Sequence, residues 1–156
     1  MSFGVRSHNV EKLYYFSRDI YRNVFKKNLA WEISKIDLLN FPKFSLGFDL
    51  GIFLDQNNFE LEKKLENHDI FHVLTGINTA VFKEVGLQYY LLGNGKTSLY
   101  LFGVILTGSL FYPEKWLYFW QNWQFGKKAR KFHDLDFWSI LDKQTTVLRQ
   151  NFGMKY

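Results

Sequence analysis

Hydrophobic positions recur at intervals of three and four along most of this chain, the spacing of helices that each bury one stripe. From about Asn9 to Leu29, Leu13, Phe16, Ile20 and Val24 fall opposite Arg18, Arg22 and Lys26, which predicts an amphipathic first helix. Asn40-Phe41-Pro42 marks a break, after which FSLGFDLGIFL predicts a short second helix with Ser45 as its cap. Asn57 and Asn58 read as start signals for a helix from about Phe59 to Thr75, with Gly76 as its stop. Asn78-Thr79 supplies cap chemistry for a further helix from about Thr79 to Leu92, ended by the Gly93-Asn94-Gly95 turn. The last stretch predicts a polar turn, a helix from about Asp136 to Asn151 and a glycine stop at Gly153. No alternating pattern is sustained long enough for a sheet. The expectation is an all-α fold of about six to seven helices in a single domain spanning residues 1–156.

One segment departs from amphipathicity. Thr97 to Pro113, TSLYLFGVILTGSLFYP, has no charge, yet it is short of the roughly 20 apolar residues that a bilayer crossing needs, and it contains Gly103, Gly108, Ser109 and a terminal proline. It predicts a helix that packs in the core or dips into a membrane surface. Gly103 and Thr107, four apart, also allow close approach of a second copy, so a homodimer seam is the rival reading.

Candidate chemistry lies in HDIFH. With about 100° per residue and His68 at the origin, Leu61 falls near 20°, His72 near 40°, Leu65 near 60° and Asp69 near 100°. The imidazoles therefore continue a leucine stripe and point inward. Glu84 follows in AVFKEVGLQYYLL, and between Asp69 and Lys96 the only charged residues are Lys83 and Glu84. A carboxylate in such surroundings is costly unless it is protonated, paired or bound to a cation. His68, Asp69, His72 and Glu84 are thus candidate ligands of a divalent metal on two successive helices. This nitrogen and oxygen set suits zinc and also accepts iron, manganese or cobalt. The plainer alternative is a pair of hydrogen-bonded core histidines, with Glu84 paired to a cation. His133-Asp134 repeats the dipeptide without a partner at helical spacing and reads as surface or turn.

Composition sharpens this picture in three ways. Zero cysteines exclude disulfides and thiolate ligands. Phe, Tyr and Trp make up 20% of the chain, which suits a large apolar ligand or a membrane interface, although the codon bias of an AT-rich genome would also raise them. The net charge of +5 is grouped into the first-helix stripe and the run GKKARK, where anionic lipid head groups are natural partners. No helix-turn-helix, zinc-finger or RNA-recognition signature accompanies the basic residues, so nucleic acid is not expected as a partner. The N-terminus has no apolar signal core, and the expected location is cytoplasmic, peripheral to the inner membrane.

The quartet also carries a resemblance. The chain resembles the ubiquinone (coenzyme Q) biosynthesis family represented by the fourth coenzyme Q protein, whose pattern is His-Asp-x-x-His, eleven residues, then Glu; His68, Asp69, His72 and Glu84 stand at that spacing. PKFSLGFDLGIFL resembles the family's Pro-x-x-Ser-Leu-Gly segment, and WSILDKQTTVLRQNFGM its closing Leu-Arg-x-x-Leu-Gly-Ile run, so the likeness covers about residues 42–154. Ile77-Asn78-Thr79 stands where the family commonly has a proline-containing break, and Phe152 replaces a leucine. The resemblance implies a helical, dimeric, membrane-peripheral protein that handles polyprenylated quinone precursors. It further implies removal of the C1 carboxylate of a polyprenyl-hydroxybenzoate, coupled to oxidation, and scaffolding of other biosynthetic enzymes.

Two functions are therefore expected as alternatives. One is a metal-dependent carboxy-lyase, with His72 and Asp69 as its catalytic residues and Asp69 orienting a histidine or acting as base. The other is a non-enzymatic carrier or scaffold for an isoprenoid lipid. A metalloprotease fits poorly, because Asp69 is one methylene shorter than the glutamate of His-Glu-x-x-His and would sit back from a metal-bound water. An HD-type phosphohydrolase lacks its dispersed partners.

Overall fold

The computed structural model describes residues 31–61 and 66–154, so the amphipathic helix expected over residues 9–29 lies outside it. Among the described residues the α-helices are α1 (Lys35–Leu39), α2 (Leu46–Gln56), α3 (Glu66–Thr75), α4 (Val81–Gly93), α5 (Leu99–Phe111), α6 (Trp116–Lys128) and α7 (Thr145–Asn151). Short 3-10 turns occupy Pro113–Lys115 and Trp138–Ile140, and among the described residues the one extended pairing is an isolated bridge between Ser45 and Gln144. The fold is all-α. The described residues group into two compact units, one of residues 77–129 and one of residues 31–76 with 130–154.

In the unit of residues 77–129, α4 and α6 cross where side chains are missing. A Cβ on Gly126 would collide with the Tyr90 carbonyl oxygen, and one on Gly93 with the carbonyl of Trp123. Buried Asn94, at the end of α4, donates to the carbonyls of Gly126 and Ala129, tying the two helix ends together. Val85, Tyr89, Val104, Tyr112 and Phe119 form the buried cluster among the three helices. Within it the Tyr89 ring lies parallel to Phe119 at 5.3 Å, while its hydroxyl pairs with Ser109 Oγ at 2.8 Å, so an aromatic body is buried without stranding its polar tip. The uncharged segment forms α5, capped by Ser98, whose Oγ accepts from the Leu101 amide. At 13 residues α5 cannot cross a bilayer, and no helix among the described residues is long and apolar enough to do so.

The unit of residues 31–76 and 130–154 is stitched from distant parts of the chain. The Leu46 and Gly47 amides at the start of α2 donate to the carbonyls of Lys143 and Leu141, each at 2.8 Å, and the Thr145 amide donates to Phe44 at 3.0 Å. Ser45 caps α2 as expected, its Oγ accepting from the Phe48 amide. Together these bonds supply partners for N–H groups that a helix start leaves unpaired. They also correct the C-terminal expectation. Residues 136–144 turn to present Leu141 and Lys143 to α2, and regular helix is confined to Thr145–Asn151. The Phe71 ring lies 5.9 Å from Phe132 and 5.7 Å from Phe137, all three fully or almost fully buried.

The expected helix from Phe59 is corrected too. Asn57 caps the C-terminus of α2, Asn58 adopts a left-handed conformation (φ 54°), and the Phe59 amide returns to the Leu54 carbonyl. The asparagine pair therefore ends α2 instead of starting α3, because asparagine tolerates the left-handed region that such a stop needs.

Candidate metal centre

α3 places the histidines. His68 and His72 are four residues apart, one turn of helix, and their Nε2 atoms face each other at 3.2 Å with the rings nearly perpendicular. His72 is 3% exposed, and the Phe53 ring from α2 stacks on it at 5.4 Å and 14°. Its ring is thereby held on one face. His68 and Asp69 are half-buried on the same helix. As expected, Gly76 (φ 69°) stops α3, its amide donating to the His72 carbonyl at 2.9 Å.

Glu84 belongs to the first turn of α4 and is 5% exposed. That helix starts at Val81, two residues later than its caps suggested. Asn78 acts one step earlier in the chain, its Oδ1 accepting from the Ala80 amide at 3.2 Å. A carboxylate in a helix's first turn gains from the amide dipoles there, which offsets part of the cost of burying it.

The donor chemistry can be tested against an ion. Zinc holds imidazole nitrogens at about 2.0–2.1 Å, so two nitrogens 3.2 Å apart subtend roughly 100–105° at a shared ion, close to a tetrahedral edge. The same separation suits one N–H···N hydrogen bond, and the two arrangements exclude each other because an ion needs both lone pairs. His68 and His72, in the unit of residues 31–76 and 130–154, each offer one ring nitrogen, and Glu84, in the unit of residues 77–129, offers a carboxylate oxygen.

Two features of this region were not read from the sequence. One is Phe53, an ordinary apolar position of α2 by its spacing. The other is Arg149 on α7, whose Nη2 donates to the Val73 carbonyl at 2.6 Å and whose Nε donates to Leu74 at 3.1 Å. Nothing in TTVLRQN signals that its arginine caps a helix 75 residues away.

No protein-family model and no curated protein matches the sequence. Among solved structures, the chain is similar to a protein of Nostoc punctiforme named a "Putative ubiquinone biosynthesis protein", at 19% identity and a TM-score of 0.64, over 98% of this chain and 81% of that one. The all-α fold described above is therefore one that this chain shares with a protein bearing that name.

Proposed function

We propose that this chain is a ubiquinone-biosynthesis-like protein that binds a divalent ion, zinc foremost, through His68, His72 and Glu84, and takes a polyprenylated quinone precursor as its substrate. The reaction is loss of the C1 carboxylate of a polyprenyl-hydroxybenzoate. One observation carries the reading: two imidazole nitrogens on one helix stand 3.2 Å apart, a separation suited to sharing an ion. A bound ion supplies positive charge that polarises the carboxylate or phenolate oxygens of the substrate. The chain's own part is to hold and to protonate. His72, clamped by Phe53, keeps its nitrogen aimed. Asp69 orients a histidine or moves the proton. As the bond from the ring to the carboxyl carbon breaks, its electron pair stays on the ring carbon, carbon dioxide leaves and a proton takes its place.

A second reading, a non-enzymatic carrier or scaffold for prenyl lipids, draws on α5. Leu99, Phe102, Leu106 and Leu110 recur at helical spacing and are exposed, Leu99 at 81% and Leu110 at 72%. A 13-residue helix with this face suits a protein lying on a membrane surface, with the exposed Lys127 and Lys128 of α6 meeting anionic head groups. Gly103, with open space where a Cβ would stand, makes a second copy of the chain the other occupant of that face.

Elemental analysis of the untagged protein is expected to show one transition-metal ion per chain, lost in His72→Ala together with carbon dioxide release from a prenylated hydroxybenzoate. Unchanged metal content in that variant rejects the metal reading. Metal without turnover, accompanied by a prenyl passenger in native mass spectrometry, selects the carrier.

A further inference from the structure

We propose that Arg149 is a positioning residue for the histidine pair, holding the last turn of α3 so that His72 keeps its register with His68. This rests on the metal reading above. The last four carbonyls of a helix have no partner within it, and an end left open frays or tightens into 3-10 geometry. In α3 three of these four carbonyls, those of His72, Val73 and Leu74, are taken up in turn. The Gly76 amide donates to His72 at 2.9 Å, Arg149 Nη2 to Val73 at 2.6 Å, and Arg149 Nε to Leu74 at 3.1 Å. Thr75 Oγ1 adds a bond to Phe71 at 2.7 Å.

The chemistry is specific to arginine. Nε and Nη2 form one edge of a rigid planar fork, and here that edge meets two successive carbonyls that lie directly after His72 in the chain. Its fixed positive charge also sits at the negative end of the helix dipole. A lysine would keep the charge and lose the two-point grip.

Register matters because the 3.2 Å spacing depends on α geometry over the four steps from His68 to His72. An α-helix advances about 100° per residue and a 3-10 helix about 120°, so a tightened turn would rotate one imidazole by about 80° relative to the other. The Phe53 ring then opposes such rotation at the side chain, while Arg149 opposes it at the backbone.

The test compares wild type, Arg149→Lys, Arg149→Gln and Thr75→Val by zinc affinity in chelator competition, by the cobalt absorption signature, and by exchange of the Gly76 amide in metal-free protein. Arg149→Lys and Arg149→Gln are expected to weaken zinc about tenfold, to alter the cobalt bands and to speed Gly76 exchange. Thr75→Val, which keeps the fork, is expected to move all three in the same direction by less. Affinity within about twofold of wild type despite faster exchange makes Arg149 merely structural and overturns the proposal. If the Arg149 variants do not fold, Thr75→Val decides: faster Gly76 exchange with unchanged affinity overturns it. Wild type that binds no zinc overturns the metal reading and this inference with it, whereas wild type that binds zinc beside unaltered variants overturns this inference alone.

Discussion

The two units hold themselves together by opposite means. In the unit of residues 77–129 the helices meet backbone to backbone, at Gly93 against Trp123 and Gly126 against Tyr90, around an aromatic cluster. Residues 31–76 and 130–154 form a discontinuous unit, tied by amides and a guanidinium that reach carbonyls from 75 to just over 100 positions away in the chain. The first depends on atoms being absent, the second on polar groups finding distant partners. A missing Cβ cannot be replaced by small adjustments, because the opposing atoms are backbone. A hydrogen bond, by contrast, is worth a modest net amount and can be lost singly.

That contrast orders the expected effects. Gly126→Ala drives a methyl group into the Tyr90 carbonyl and is expected to cost about 3 kcal/mol or more in urea denaturation. A loss under about 1 kcal/mol would show that the crossing has slack and would erase the distinction between the units.

Tyr90 probes the same packing by pH. Burial pushes its phenol up to about 12 from 10.0, so the folded state favours the protonated form. The associated stability is complete below about pH 10 and is lost as pH rises through about 12, amounting to roughly 2 kcal/mol at most. Tyr90→Phe is expected to flatten that alkaline decline, and an unchanged slope would place its origin elsewhere.

Ser45→Ala removes the α2 cap from the discontinuous unit and is expected to lower stability by about 1 kcal/mol, read as a modest fall in the thermal midpoint. A loss as large as that of Gly126→Ala would mean that the polar ties act as one network. Smallest for stability is the pair Leu106→Ser and Leu110→Ser on the exposed face of α5, expected to change it by about 0.5 kcal/mol or less. The same variant should lower retention on vesicles containing anionic lipid, and full retention would remove membrane binding as the role of that face.

Legibility followed the range of the interactions. Ser45 as a cap, Gly76 as a stop, the uncharged segment as a helix and the break at Asn40-Phe41-Pro42 were readable, because each is decided by side chains within a few residues of the backbone groups they affect. Asn57 and Asn58 were placed correctly as a boundary but on the wrong helix, since asparagine serves both starts and left-handed stops. The stretch from 136 to 144 misled for a different reason. Its local pattern is compatible with helix, but its carbonyls are claimed by the amides of Leu46 and Gly47, almost 100 residues earlier. In the candidate site, the histidine spacing and the charge-poor setting of Glu84 were legible from residue types and helical period. The Phe53 stack and the Arg149 fork were not.

What the sequence determined alone was periodicity: that the segments carrying α2, α3, α4 and α5 are helical, and that His68 and His72 share one face, because a fixed angle per residue converts spacing into direction. What the tertiary structure decided was closure. It set where α2 stops and where α7 begins, the close approaches at which Gly93 and Gly126 are needed, and the anchoring of the histidine helix by Arg149. Those depend on which distant carbonyl or ring arrives, and a pattern of neighbours along the chain contains no term for that.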